Sequence, residues 1–278
     1  MADIPVFDSH VHVFPDAIAA RVTAQLGADG GVTPVYDGSR AGLEACMRRS
    51  GVTGALNCPI ATRPEQTRSI NDWAAANNRW PMPCLGTVHP DLPDAADEVR
   101  RVHALGLHGL KLHPEYQAFN PEEARLEPIW AVCEELGFPV VIHAGADIAF
   151  VPPFRSSPAG FRRLLGRYPR LRLVAAHFGG WRMWEEVDRE LAGMPLWLDL
   201  AFVFGEIPDE RLTALIRRHG VDRILFGSDA PWRDPAADLA ALRRLPLKAH
   251  ERERILWRNA ADLFRIPELC VGRISGQA

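Results

Sequence analysis

The stretch LHGLKLHPEYQAFNPEEARLEPIWAVCEELGFPVVIHAGAD, residues 107–147, contains one complete repeat of the pattern on which the fold depends. Its two apolar runs, 107–114 and 138–147, are typical of buried β-strands. Between them, the spacing of the apolar residues predicts a helix over 120–137 that ends at Gly137. A strand, a helix and a second strand in this order predict two parallel strands of one sheet.

The same alternation runs through the rest of the chain and produces eight strand-like segments. These segments lie at 6–14, 52–60, 83–90, 107–114, 138–147, 171–180, 196–204 and 223–232. Eight strand–helix units in 278 residues predict an α/β fold, a single (β/α)8 TIM barrel, which a C-terminal helix over 250–266 closes. The alternative is a doubly wound sheet, but no GxGxxG motif follows any of the strands. Since no linker or low-complexity segment interrupts the pattern, we expect residues 1–278 to form one domain.

The composition is that of an ordinary globular protein, with 47% hydrophobic and 24% charged residues and a formal net charge of −3. No basic block is present, so nucleic acid and anionic membrane surfaces are not expected partners. No apolar run approaches the ~20 residues that span a bilayer, and the start MADIPVFDSH does not resemble a secretory signal. The five scattered cysteines form no CxxC pair, which favours buried free thiols and a cytoplasmic protein. A small-molecule substrate is the expected partner. The sequence does not decide whether the chain forms a homo-oligomer.

The first strand, VFDSHVHVF at residues 6–14, carries polar side chains among its apolar ones. Side chains two positions apart on a strand point the same way, so Asp8, His10 and His12 are expected on one face. Two neighbouring imidazoles suit a metal ion, although a hydrogen-bonded pair of buried histidines would give the same pattern.

Other polar residues also fall late in predicted strands, where (β/α)8 barrels place their chemistry. They are His89, Lys111, His113, His143, His177 and Asp229. For His89, which precedes a proline, a hydrogen-bonded position in the core is the simpler interpretation. The remaining histidines lie on predicted helices or at strand entrances and are expected to be solvated: His103, His108, His219 and His250.

Five of these segments together resemble one family. They are DSHVH at 8–12, GLKLHP at 109–114, VVIHAG at 140–145, VAAHFGG at 174–180 and ILFGSDAPW at 224–232. In order and spacing they resemble the amidohydrolase superfamily, and within it the amidohydrolase-related group of metal-dependent hydrolases, lactonases and non-oxidative decarboxylases. The closing segment NAADLFRI also looks like the terminal helix of that family.

The resemblance implies a metal site formed by His10, His12, His143 and Asp229. Three imidazoles and one carboxylate suit one divalent metal, with Zn²⁺ as the first choice and Mn²⁺, Fe²⁺ or Co²⁺ as alternatives. By the same resemblance, Asp229 and His177 are the catalytic residues that handle the proton of an attacking water. Asp8 either supports the metal ligands or caps a loop.

Lys111 lies inward on the fourth strand, and a buried lysine requires a partner. In binuclear relatives a lysine of this strand is carboxylated and bridges two metals. The segment KLHP resembles the mononuclear group more closely, so we expect an unmodified Lys111 that contacts the substrate. His113, Arg155 and Trp232 are the other expected substrate contacts, in a pocket with aromatic walls and one or two cations.

The first hypothesis for the function is metal-dependent hydrolysis of a C–O or C–N bond in a small, carboxylated ester, lactone or amide. The alternative is a metal-dependent, non-oxidative decarboxylase of a small carboxylic acid on the same scaffold. Decarboxylases of this kind are expected to be longer, with extra loops that this compact chain lacks. A binding protein without chemistry is the third hypothesis, and the complete set of predicted metal ligands counts against it.

Overall fold

Eight short parallel strands form the centre of the molecule in the computed structural model, which describes residues 4–271, without the side chains of the last two. The strands are β1 (Phe7–Val11), β2 (Gly54–Asn57), β3 (Gly86–Thr87), β4 (Leu110–Leu112), β5 (Val140–Ile142), β6 (Leu173–Ala175), β7 (Trp197–Asp199) and β8 (Ile224–Leu225). All eight lie inside the predicted segments and in the predicted order. They are shorter than those segments because pairing stops where the loops toward the C-terminal face begin.

The strands close into a barrel. β3 to β8 pair in sequence order as parallel neighbours, and β1 pairs with β2. The backbone N–H of Leu85 donates to the carbonyl of Asn57 at 2.9 Å and joins β2 to the β3 side. The N–H of Ser9 donates to the carbonyl of Phe226 at 2.8 Å and joins β1 to the end of β8. This order of contacts is that of a (β/α)8 barrel, as predicted.

Helices surround the strands. They are α1 (Asp16–Gly30), α2 (Arg40–Ser50), α3 (Thr67–Asn77), α4 (Ala95–Ala104), α5 (Glu127–Leu136), α6 (Pro158–Arg167), α7 (Trp184–Glu190), α8 (Asp209–His219), α9 (Pro235–Arg244), α10 (Ala249–Glu253), α11 (Asn259–Phe264) and α12 (Pro267–Val271). A π-helical turn over Arg254–Arg258 joins α10 to α11, so the predicted terminal helix is one continuous segment. Within the described residues, no helix is long and apolar enough to cross a membrane.

The helix predicted over 120–137 is shorter than expected. Asn120 donates its backbone N–H to the side chain of Glu123 at 2.7 Å, and this local turn takes the place of the first helical turn. The α-helix itself begins at Glu127 and ends, as predicted, at Gly137, whose φ of 57° suits glycine.

Helix α1 is an addition that the strand–helix alternation does not predict. It lies between β1 and α2, beyond the C-terminal end of the barrel strands. Ala19, Thr23 and Gly27 are its buried residues, four positions apart, and their small side chains allow a close approach of the segment 32–38 that follows the helix. The opposite face is exposed.

One cluster of apolar side chains, which extends in sequence from Val6 to Leu269, forms the core. Cys46, Cys58, Cys84 and Cys133 are buried free thiols, as expected, whereas the side chain of Cys270 lies outside the described part. The prediction of one domain stays a prediction.

The four histidines predicted to be solvated do not all behave alike. His219 is buried, and its two ring nitrogens lie 3.3 and 2.9 Å from the carbonyl oxygens of Leu191 and Leu196, so that prediction is wrong. The ring of His219, at the end of α8, gives a polar partner to these carbonyl groups, which would otherwise be buried unpaired. His108 is half-buried, while His103 and His250 are exposed as expected.

Candidate metal centre and active site

A cavity of about 740 Å³ opens at the C-terminal ends of the barrel strands. Most of the polar residues singled out in the sequence line it, together with aromatic side chains. The polar set is His10, His12, Lys111, His113, His143, His177 and Asp229, and the aromatic set is Phe14, Trp73, Tyr116, Trp181, Phe202 and Trp232. The fold thus brings the late-strand residues together at one place.

His10, His12 and Asp229 form one compact group of metal-binding atoms. The Nε2 atoms of His10 and His12 lie 3.5 and 3.0 Å from Oδ1 of Asp229. The three ligand atoms lie within 4.8 Å of one another, a spacing at which one divalent cation can contact all three. We call these three residues the donor triad.

Asp199, at the end of β7, fixes the orientation of His10. Its Oδ2 lies 3.0 Å from Nδ1 of His10, and its Oδ1 accepts the backbone N–H of His177 at 2.8 Å. With Nδ1–H donated to the carboxylate, Nε2 of His10 keeps a lone pair for a metal. Asp199 is missing from the sequence prediction, although an acid within the apolar run LWLDLAF was a visible signal.

The protonation states of His10 and Asp229 suit metal binding. Burial lowers the pKa of His10 well below its usual value, and the Lys111 ammonium lowers it further. Burial alone would raise the pKa of Asp229, but His10 and His12 outweigh it and lower that pKa to about 2. A neutral imidazole and an ionised carboxylate are the forms that coordinate a cation.

Lys111 reaches this centre from β4. Its ammonium donates a hydrogen bond to Nε2 of His10 at 2.8 Å, and the side chain is buried. The lysine therefore contacts the same lone pair that a metal would use. Burial raises the pKa of the Asp199 carboxyl group and Lys111 lowers it in part, so Asp199 is the carboxylate that compensates the buried ammonium.

His143 lies with a second group rather than with the donor triad. Its Nε2 is 3.1 Å from the carbonyl oxygen of Ala146 and 3.8 Å from Oδ2 of Asp147. Its ring stacks on His113 with centroids 4.1 Å apart, and Nε2 of His113 lies 3.2 Å from the same Asp147 oxygen. The expectation that His143 completes the metal site stays a prediction. Asp147 is a second residue that the sequence prediction missed.

His177 sits between the two groups. Its ring centroid is 5.2 Å from that of His10 and 4.6 Å from that of His143. Its Nδ1 lies 3.0 Å from the carbonyl oxygen of Ala201, which leaves Nε2 as the acceptor of the ring. His177 and Asp229 adopt φ angles of 53° and 68°, and such left-handed backbone at non-glycine residues is typical of functional sites.

Two of the expected substrate contacts differ in position. Trp232 lines the cavity, but Arg155 is absent from the lining residues. The Arg155 side chain is 42% exposed and lies 3.9 Å from Glu115, which also accepts its backbone N–H at 2.6 Å. Lys111 is the cation among the described lining residues, and the role of Arg155 as a substrate contact stays a prediction.

Asp8 caps a loop rather than facing the cavity. It accepts hydrogen bonds from the backbone N–H of Ser228 at 2.9 Å and of His10 at 3.2 Å, and so ties β1 to the segment after β8. An irregularity in the β1–β2 register between Asp8 and Val11 separates Asp8 from the two histidines. His89 is buried, and its Nδ1 accepts the backbone N–H of Asp91 at 3.1 Å. Both observations agree with a structural position.

The family follows from comparison of the whole chain. Residues 7–266 match the family described as Amidohydrolase. The chain belongs to that family. This result confirms the resemblance stated on the five sequence segments, and it joins the donor triad in supporting a divalent metal.

Solved structures with the same fold include one uncharacterised protein and two decarboxylases. An uncharacterised TIM-barrel protein of Bordetella bronchiseptica is 20% identical, with a TM-score of 0.78 and coverage of 94% of this amidohydrolase and 98% of that chain. A 5-carboxyvanillate decarboxylase of Sphingomonas paucimobilis is 19% identical, with a TM-score of 0.73 and coverage of 95% and 100%. A 5-carboxyvanillate decarboxylase of Novosphingobium aromaticivorans with bound manganese is 16% identical, with a TM-score of 0.69 and coverage of 94% and 97%. At these identities the likeness shows the fold.

Proposed function

We propose that this amidohydrolase is a metal-dependent hydrolase of a C–O or C–N bond in a small ester, lactone or amide that carries a carboxylate. The observation that supports the proposal is the convergence of the donor triad with His177 on one cavity. His10, His12 and Asp229 would hold the metal, and His143 is proposed as a further ligand. When bound, the metal would lower the pKa of water and polarise the scissile carbonyl.

Asp229 is suited to move the proton of the attacking water. Its low pKa keeps it ionised at neutral pH, so one carboxylate oxygen is available as an acceptor. Once protonated, a carboxyl group of low pKa readily passes its proton to a leaving alkoxide or amine. His177, with Nδ1 held by the Ala201 carbonyl, presents Nε2 to orient the reacting group.

Lys111 and the buried surroundings would position the substrate. The ammonium of Lys111 is the charge that would pair with a substrate carboxylate, and His113 and Trp232 line the same cavity. The aromatic walls exclude water and strengthen these polar contacts. Zn²⁺ remains our first choice of metal, and Mn²⁺ the main alternative.

Decarboxylation is the second candidate, and the names of two structural neighbours favour it. The alignment covers 95% of this chain and 100% of the Sphingomonas decarboxylase chain, so the shared fold extends over both. In this reaction the metal and Lys111 would bind the carboxylate that is lost.

Isotope labelling separates the two reactions. Turnover of an ester, lactone or amide panel in ¹⁸O-water should place the label in the product carboxylate. Release of carbon dioxide from aromatic carboxylic acids without incorporation of the label would favour decarboxylation instead. The Asp229→Asn variant serves as the blank for both reactions, because it removes the proposed proton acceptor and keeps a side chain of the same size.

A further inference from the structure

Helix α1 contributes an aliphatic stripe to the cavity. Ile18, Val22 and Leu26 are four positions apart, so they lie on one face of the helix, and all three line the cavity. None of them belongs to the core cluster or to the partly buried residues packed against it. Apolar side chains that line a cavity outside the packed core favour an apolar occupant.

Other elements complete this apolar wall. Ile70 and Trp73 of α3 line the same cavity. Ile148, in the loop after β5, meets the end of α1 so closely that a Cβ on Gly30 would lie 2.6 Å from its Cδ1. The loop and helix therefore form a continuous rim above the polar floor. We call Ile18, Val22, Leu26, Ile70, Trp73 and Ile148 the apolar wall.

Polarity changes from the floor to the rim. His10 and Lys111 on the floor are 0% and 1% exposed, whereas Ile18 and Ile148 on the wall are 37% and 39% exposed. The charged and imidazole side chains among the described lining residues are the polar set named above, which forms the floor, and Asp147. Thr62, Gln66 and Ser69 add only uncharged polar groups near α3.

We infer that the substrate is an amphiphile, with a polar, scissile head at the donor triad and a hydrocarbon segment of several carbons along the apolar wall. This inference rests on the proposed function, since it places the reacting head at the same site. The continuity of floor and wall in one cavity argues for one molecule that occupies both. A cavity of about 740 Å³ lies within the range of pockets that enclose ligands of drug size.

A homologous series of unreactive ligands tests the inference by calorimetric titration. We expect the Kd of straight-chain carboxylates, from butanoate to decanoate, to fall roughly two- to fourfold for each added methylene that the wall buries. The same Kd across the series in the wild-type protein, or no binding by any member, would overturn the inference.

Two substitutions on α1 provide a matched pair. Val22→Gln places an uncharged polar group in the wall, whereas Ala24→Gln places the same group on the exposed face of the same helix. For Val22→Gln we expect roughly tenfold weaker binding of decanoate and a change within about twofold for butanoate. Ala24→Gln should bind both ligands like the wild type. Equal losses in the two variants would contradict a specific role of the wall, and Leu26→Gln repeats the test if Val22→Gln fails to fold.

Failure of the inference can be told apart from failure of the proposed function. Turnover of short esters with no dependence on chain length would support the hydrolase and contradict the apolar tail of the substrate. A steep dependence of Kd on chain length without hydrolysis of any ester, lactone or amide would support the apolar wall as a binding site and contradict the hydrolase.

Discussion

The ammonium nitrogen of Lys111 lies 2.8 Å from Nε2 of His10, the ring nitrogen that the donor triad would offer to a metal. An imidazole nitrogen has a single lone pair, so it cannot accept a hydrogen bond from Lys111 and coordinate a cation at the same time. The lysine must therefore move away when the metal binds, and its positive charge also repels the metal.

Removing this ammonium should strengthen metal binding. For Lys111→Met we expect the Kd of Zn²⁺ or Mn²⁺ to fall by roughly tenfold, measured by competition with a chelator. Lys248→Met is the matched control, since Lys248 is the other lysine of the chain and is exposed at the start of α10. Substrate affinity should fall in the first variant and not in the second. Weaker metal binding in Lys111→Met would show that the lysine supports the metal.

The chemical state of Lys111 is a separate prediction. We expect an unmodified side chain and close to one metal per chain, because the segment KLHP at 111–114 resembles that of the mononuclear group. Reconstitution with metal in the absence of bicarbonate should leave activity unchanged. A dependence on bicarbonate, or rescue of Lys111→Ala by a short carboxylic acid, would instead indicate a lysine that bridges two metals.

Loss of the two imidazoles of β1 should remove the metal. In the His10→Ala/His12→Ala variant, elemental analysis should find metal near zero per chain, because Asp229 alone offers one carboxylate. The His103→Ala/His250→Ala variant removes two exposed histidines from helices and should keep the wild-type content. Equal metal content in both double variants would place the metal elsewhere, with the His113, His143 and Asp147 group as the next candidate.

Asp199 should act on metal affinity through His10. Asp199→Asn weakens the acceptor that holds Nδ1–H of His10, so we expect metal affinity to fall by about 10- to 100-fold. Asp97→Asn, an exposed change on α4, is the control. An unchanged Kd for the metal in Asp199→Asn would mean that His10 keeps its orientation without the carboxylate.

The strand–helix order and the gathering of late-strand polar residues could be predicted from the sequence. Both follow from local patterns, since apolar runs give strands and parallel strands share one C-terminal edge. Asp199 could also have been found by the same rule, because it is a charged residue at the end of an apolar strand. The resemblance to the family then assigned roles that local patterns do not carry.

The positions that could not be predicted depend on contacts between distant segments. Arg155 is absent from the cavity lining, and its side chain lies 3.9 Å from Glu115, which belongs to another loop. His143 turns toward Asp147 and His113, and His219 is buried under the carbonyls of two other elements. Helix α1 interrupts the alternation, so no period in the sequence indicates that its aliphatic stripe faces the site.

Asn is the informative substitution at His177 and Asp229, because both residues adopt left-handed φ angles that Asn tolerates. The fold of His177→Asn and Asp229→Asn should therefore persist, while kcat/KM falls by roughly two to four orders of magnitude. Circular dichroism melts measured beside the kinetics check this. Activity that falls in step with melting temperature would make both residues structural.

The buried carboxyl group of Asp238 should make stability depend on pH. Burial raises its pKa from 3.8 to about 6, although Arg233, which donates to its Oδ1 at 2.9 Å, lowers the pKa in part. The native state therefore binds this proton more tightly than the unfolded chain does. The free energy of unfolding should decrease as pH rises from about 4 to about 7, by at most about 3 kcal/mol from this group.

Urea unfolding of the metal-free protein across this pH range, for the wild type and Asp238→Asn, isolates the contribution. Asn keeps the acceptor for Arg233 but has no proton to lose, so the variant should show a shallower decrease. Burial raises the pKa of Asp8 to about 7 and Asp238 contributes to that rise, so the difference between the two proteins measures Asp238 together with its effect on Asp8. A difference between the two proteins that does not change with pH would mean that Asp238 is already ionised in the native state at pH 4. A difference of opposite sign would mean that the ion pair with Arg233 outweighs burial.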